Sequence, residues 1–249
     1  MMDLIKSDKE IEIMRQGGRI LATVLDIVCK SIKAGQTTKE IAGIAQKELE
    51  KLGGEPAFYE YSGFPDVICI SVNNEVVHGI PGSKIIKDGD IVSLDFGVRY
   101  RGLVTDAART VLVGPPDKKK LTLIDVTKQS FEEGLATVKD GAYVGDIGAA
   151  VQSTLESNGL GVVRVLVGHG VGRKVHEPPE IPNYGKAGTG PRLKVGMTLA
   201  IEPMSTLGAY DVYTAADGWT IITKDGSLSA HYEDTVVVTK IGAEVLTRV

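Results

Sequence analysis

An α+β fold made of two related halves is what this chain predicts, on three observations: one phrase is written twice, helices come in pairs, and strands follow one another through short loops. The phrase is Lys87-x-Gly89-x5-Asp95 and again Lys194-x-Gly196-x5-Glu202, a Gly turn, an apolar run and a carboxylate, repeated 107 residues apart. Upstream, Lys33, Gly35, Ile41, Gln46, Leu49, Glu50 and Gly53 recur as Lys139, Gly141, Ile147, Gln152, Leu155, Glu156 and Gly159 at a spacing of 106. The halves run over about 1–114 and 115–249. No Pro/Ser/Gly-rich linker or charge block separates them, so they are read as one domain, 1–249.

Each element has a local reason. Ser7 followed by Glu10 has the form of a capping box, and Ile11, Met14, Leu21, Val24, Leu25 and Val28 recur at helical spacing until Gly35. Thr37 and Thr38 can cap a second helix with Ile41, Ile44, Ala45 and Leu49 on its apolar face, ending at Gly53-Gly54. Strands are expected over Val67–Val72, Ile91–Val98 and Gly102–Leu112. The second half repeats the scheme, with helices over about Asp117–Val138 and Asp146–Asn158, the latter capped by Asp146. Strands follow near Val162–Val167, Thr198–Ile201, Trp219–Thr223 and Glu233–Val238.

Composition narrows the function. With 43% hydrophobic and 24% charged residues the chain is an ordinary globule, and a net charge of -4 argues against a business of binding DNA or RNA backbones. The Lys118-Lys119-Lys120 run reads as a solvated helix start. Cys29 and Cys69 are too few for a disulfide framework, which points to a reducing cytoplasm. The N-terminal residues lack the apolar core of a secretion signal, and no apolar run approaches the roughly 20 residues that span a bilayer, so no membrane partner is expected.

The chemistry lies in the acids. If the chain reverses about the Tyr100-Arg101 bond, Asp95 and Asp106 become directly opposed on neighbouring antiparallel strands, with Cβ atoms roughly 4.5–5.5 Å apart. Like charges there repel, and a bridging cation reverses the sign. A bulge at Gly102 would instead send the two acids to opposite faces. In the second half Glu202 is equivalent to Asp95, and Glu233 takes the partner-strand role of Asp106 through a longer connection. His169, flanked by Gly168 and Gly170, joins these four acids. Five ligands, mostly hard oxygens with one imidazole, suit two divalent ions sharing carboxylates, a site that favours hydrolysis. Manganese, iron, cobalt and zinc all tolerate this set. His78 and His176 are candidate donors to a substrate carbonyl or amide, or else loop histidines pinned by turns. His231 receives no role.

Taken together, Asn74-Glu75-Val76-Val77-His78-Gly79-Ile80-Pro81, Asp95, Thr105-Asp106-Ala107-Ala108, Gly168-His169-Gly170-Val171-Gly172, His176-Glu177, Ile201-Glu202-Pro203-Met204 and Tyr232-Glu233-Asp234-Thr235 resemble the bacterial type I methionine aminopeptidases. The resemblance implies a pita-bread fold with an internal pseudo-twofold, a curved antiparallel sheet covered by two pairs of helices. It also implies two divalent metal ions on Asp95, Asp106, His169, Glu202 and Glu233, with Asp106 and Glu233 bridging. By the same resemblance Glu202 relays protons from the nucleophilic water to the leaving amine, His176 contacts the scissile carbonyl and His78 the amide nitrogen. Phe58, Tyr61, Phe64, Cys69 and Trp219 would form the methionine pocket, although Phe58 reads equally well as core. The chain departs from the family at Val175, where a bulky aromatic is common, and at Phe58, where a smaller residue is common.

The implied activity is removal of N-terminal methionine from nascent polypeptides with a small second residue, by a cytoplasmic monomer in transient contact with the ribosome. Two alternatives stand beside it. An Xaa-Pro aminopeptidase or dipeptidase of the same fold usually carries a large extra N-terminal domain, whereas about seven residues precede the first helix here. A metal-free homologue that binds protein or RNA should have lost ligands, and this chain keeps all five.

Overall fold

The structure, a computed structural model, describes residues 4–249; Met1, Met2 and Asp3, which open the first half, lie outside the described residues. Among the described residues, four α-helices form as two pairs. Helix α1 (Asp8–Ser31) begins at the expected capping box, in which Ser7 and Glu10 each take the other's backbone N–H, and α2 (Thr38–Leu52) repeats the device with Thr37 and Glu40 before ending at the left-handed Gly53. In α3 (Lys118–Ala136) the Asp117 carboxylate accepts from the N–H groups of Lys119 and Lys120. Helix α4 (Val144–Ser157) starts two residues earlier than expected, because Asp146 is not the cap: its carboxylate reaches back to the Tyr143 N–H from inside the first turn.

The first half contributes β1 (Glu55–Pro56), β2 (Cys69–Val72), β3 (Glu75–Val77), β4 (Ile91–Tyr100) and β5 (Leu103–Leu112). The second contributes β6 (Gly161–Val162), β7 (Val167–Gly170), β8 (Glu177–Pro182), β9 (Thr198–Ile201), β10 (Met204–Thr206), β11 (Val212–Thr214), β12 (Ile221–Thr223), β13 (Ser229–His231), β14 (Glu233–Val238) and β15 (Ala243–Val245). Three expected strands are shorter, the first of them Val67–Val72, which begins only at Cys69. Val162–Val167 divides into β6 and the start of β7, and Trp219 leaves β12 for a turn in which Asp217 Oδ1 accepts from the N–H groups of Trp219 and Thr220.

The main sheet runs β1-β4-β5-β14-β9-β7-β8, with β2 also on β4 and β15 on β14, and every pairing is antiparallel. Since β4 corresponds to β9 and β5 to β14, the central order β4-β5-β14-β9 reads the same from either side. Strand alternation then sorts the side chains. Val92, Leu94, Phe96 and Val98 of β4 pack with Leu21, Val24, Leu25, Ile41 and Leu49 of α1 and α2, while Leu199, Ile201, Val236 and Val238 pack with Leu123, Phe131, Ile147, Val151 and Leu155 of α3 and α4. Each such side chain stabilises the fold by roughly 1.5–3 kcal/mol when fully buried. The intervening residues, the acids among them, project from the opposite face.

The hairpin register differs from the expected one. Strands β4 and β5 are joined by Arg101 and Gly102, with φ of 49° and 84°, the signature of a type I′ turn. The chain therefore turns one residue later than a reversal about Tyr100-Arg101, pairing Asp95 with Ala108 and Asp106 with Gly97. The two aspartates stand diagonally, still on one face. In the second half β9 pairs with β14 through Ile201 and Asp234, and β10 with β13 through Met204 and His231, in a single register linked by a Tyr232 N–H to Pro203 carbonyl bond of 3.2 Å. Glu202 thus stands directly opposite Glu233.

At the seam between the halves, β5 and β14 pair only through Ala108 with Glu233 and Ala107 with Asp234. On either side a threonine takes over. Thr235 Oγ1 accepts from the Asp106 N–H and donates to the Asp106 carbonyl, both at 2.8 Å; Thr110 Oγ1 accepts from the His231 N–H at 2.9 Å and donates to the His231 carbonyl at 2.8 Å.

Candidate metal centre and active site

These registers lay the polar residues out in adjacent rows across one face. Asp95, Ala108, Glu233 and Glu202 form one row; Gly97, Asp106, Thr235, Ala200 and His169 form the next, the last two paired between β9 and β7. All five expected ligands come together. Backbone approach around His169 is close: a Cβ on Gly168 would sit 2.4 Å from the Ala200 carbonyl oxygen, and one on Gly170 would sit 2.2 Å from that of Pro178. The His169 Nδ1–H donates to the Gly170 carbonyl at 2.9 Å, which leaves Nε2 as a lone-pair donor 3.3 Å from Glu202 Oε1.

The carboxyls resist ionisation. Burial raises Asp95 well above the usual range, and Asp106 beside it adds to the effect; burial also lifts Asp106 to about 7. Glu202 and Glu233 are likewise raised well above theirs, by burial first and then by the neighbouring acids. Burial also lowers His169 to about 3, His231 to about 3 and His78 to about 4, and lowers His176. Asp95 Oδ1, Asp106 Oδ1 and Glu233 Oε1 are buried without a hydrogen-bond partner, as are both nitrogens of His231. Buried polar atoms are rarely left so, and a cluster of bare carboxylate oxygens beside imidazole nitrogens is the donor set a divalent cation satisfies. Two groups have donor atoms within 4.8 Å of one another: Asp106, His169 and Glu233, and Asp95, His231 and Glu233.

A cavity of about 210 Å³ opens onto the acids, and Phe58, Tyr61, Phe64, Cys69, Trp219, His78 and His176 all line it. Phe64 and Trp219 meet edge to face at 5.2 Å. Phe58 closes the floor over Gly97, where any Cβ would come within 2.6 Å of the Phe58 ring. Val175, buried at the position where family members often carry an aromatic, also lines the cavity, as does Ser62, which the sequence did not single out.

The loop bearing His176 is tied down at several points. The Tyr61 hydroxyl lies 2.9 Å from His176 Nδ1, and the His176 ring packs edge to face on His169 at 4.3 Å. Lys6 Nζ, almost fully buried, pairs at 2.5 Å with Glu177, whose other oxygen accepts from the Lys174 N–H. Sequence reasoning missed Lys6 and His231. For His231 a signal existed, since it lies two residues before Glu233 and so faces the same way; for Lys6 there was none, because its partner is 171 residues away.

Among the described residues, no helix is long and apolar enough to cross a membrane. Residues 12–240 match metallopeptidase family M24. The chain is 48% identical over 246 residues to a methionine aminopeptidase of Clostridium perfringens, covering 99% of each. It superposes on the crystal structure of methionine aminopeptidase from Thermotoga maritima with a TM-score of 0.96 at 46% identity, covering 98% of this chain and 99% of that one. Prolidase from Pyrococcus furiosus is more distant, with a TM-score of 0.82 and 26% identity; all of this chain aligns to 66% of it. The pita-bread fold is the shared architecture, and with the match spanning nearly its whole length, this chain belongs to metallopeptidase family M24, whose members use divalent metal.

Proposed function

We propose that this chain is a methionine aminopeptidase, a single catalytic domain that removes N-terminal methionine from nascent polypeptides with a small second residue. The observation that carries this reading is the convergence of four acids, Asp106 and Glu233 buried and Asp95 and Glu202 partly so, with His169 at the inner end of a cavity walled by aromatic rings and Cys69. Identity of 46–48% to methionine aminopeptidases, against 26% to prolidase, supports it over an Xaa-Pro peptidase. The retained ligand set argues against a metal-free binding protein.

Asp95, Asp106, His169, Glu202 and Glu233 would hold two divalent ions, manganese, iron, cobalt or zinc, with Asp106 and Glu233 shared between them. When bound, such ions lower the pKa of water and polarise a carbonyl. The protein's own groups do the rest. Glu202, at the end of β9, accepts the proton of the attacking water and passes it to the departing amine. His176, held by Tyr61, donates to the scissile carbonyl oxygen as charge builds there, and His78 donates to the leaving nitrogen once it has become tetrahedral. Phe58, Tyr61, Phe64, Cys69 and Trp219 exclude water from the methionine side chain, whose polarizable thioether favours aromatic neighbours. The setting is the cytoplasm, where a monomer would meet new chains near the ribosome.

The test is hydrolysis of Met-Ala-Ser beside Ala-Pro-Ala by chelated protein titrated with each metal. Metal-dependent release of methionine from the first peptide alone is expected; cleavage of Ala-Pro-Ala in preference, or activity indifferent to chelation, overturns the reading.

A further inference from the structure

His231 is the most deeply buried of the four histidines, and neither of its ring nitrogens has a hydrogen-bond partner. Its orientation is set from the backbone. Thr110 Oγ1 engages both the His231 N–H and its carbonyl, Ser93 Oγ donates in turn to Thr110 Oγ1 at 2.8 Å, and on the other side His231 pairs with Met204. Ser93, Thr110, His231 and Met204 therefore make a third row, flanking Asp95, Glu233 and Glu202 on the side away from Asp106 and His169.

From there Nε2 stands 3.8 Å from Glu202 Oε2 and 3.8 Å from Glu233 Oε2. That is too long for hydrogen bonds. It suits donors to a common ion, since ligand atoms about 2 Å from one centre lie roughly 3–4 Å apart. An oxygen of Asp95 completes the group, with Asp95, His231 and Glu233 donor atoms all within 4.8 Å, just as Asp106, His169 and Glu233 are. Glu233 belongs to both groups.

We propose that His231 is a sixth metal ligand, supplying an imidazole to the ion on the Asp95 side as His169 supplies one on the Asp106 side. Each position then combines carboxylate oxygens with one nitrogen, a mixed donor set that favours transition metals over magnesium or calcium at both. The inference rests on the two-ion reading above, and the experiment separates the two.

Zinc is titrated calorimetrically into chelated wild type and His231→Gln, and X-ray absorption at the zinc edge counts imidazoles in the loaded proteins. Wild type is expected to take up two ions with an average of about one imidazole per zinc, whereas His169 alone would supply about one half. In His231→Gln the tighter ion should be unaffected, the second weakened roughly 10–100-fold, and the imidazole signal halved. Fewer than two ions in the wild type overturns the two-ion reading and this inference with it. Two ions in the wild type with half an imidazole each, or an unchanged second affinity in the variant, overturns the sixth ligand alone. Because the wild-type spectrum decides by itself, a variant that fails to fold leaves the test intact.

Discussion

Two acid pairs face one another across the centre, and the halves build them by opposite means. In the first half Arg101 and Gly102 alone connect the strands, and two short aspartates stand diagonally, Asp95 beside Ala108 and Asp106 beside Gly97. In the second half residues 203–232 intervene, yet Glu202 and Glu233 are directly opposed because β10 and β13 extend the same register. A tight turn fixes spacing locally, whereas a long excursion must borrow its alignment from a second ladder. In exchange the excursion brings Trp219 and His231 to the site.

The sharpest way to break this comparison is to remove one shared acid from each half. Asp106→Asn and Glu233→Gln should each abolish turnover of Met-Ala-Ser, by roughly four orders of magnitude or more, in proteins that still fold. Undiminished hydrolysis in either would end the equivalence. His176→Ala, which removes a second-half side chain held by Tyr61 of the first half, should lower kcat roughly 10²–10³-fold and change KM less. A pure KM effect would contradict a donor to the transition state.

A third outcome concerns protons. The folded chain holds a proton on Asp106 up to about pH 7, whereas an unfolded aspartate releases it near 4. The native state thus binds more protons between those values, so this contribution to stability is present below about pH 4 and lost as pH rises toward 7, on the order of a few kcal/mol. Buried His78, His169 and His231 act in the opposite sense below about pH 6.5, so the melting temperature of chelated protein should fall from about pH 6.5 to about pH 7.5, and added manganese should restore it most at the higher pH. A melting temperature that climbs across that range without metal would refute the argument.

Smaller effects probe the tight hairpin. Gly97→Ala would press a methyl into Phe58 and cost roughly 1–3 kcal/mol by chemical denaturation, recovered in part by Phe58→Leu in the same chain. Failure of the second change to compensate would show that Phe58 is not what Gly97 accommodates. Gly102→Ala, at φ +84°, should cost roughly 1–2 kcal/mol with little change in kcat. A large kcat loss would mean that the diagonal spacing, and not the acids alone, sets the chemistry.

Much of this was legible in the chain because it is locally encoded. The capping boxes at Ser7 and Thr37 mark helix starts through contacts three residues apart, and the repeated phrase ending in Asp95 and Glu202 places two acids at equivalent strand positions. The hairpin register was misplaced because Tyr100-Arg101-Gly102 admits two reversals, and only the turn with positive φ at both Arg101 and Gly102 matches strand twist. Asp146 was mistaken for a cap because the side chain of a first-turn acid can serve the same N–H from inside the helix. The Lys6–Glu177 pair lies beyond any sequence rule, being made by tertiary packing alone.

The threonine closures at the seam have a consequence for how the molecule opens. The amides of Asp106 and His231 donate to hydroxyls of the opposite half, so their exchange with deuterated solvent reports separation of the halves, while amides inside the β4–β5 ladder report unravelling of one half. The two clocks run independently only if the halves can part like buckled straps while each stays whole.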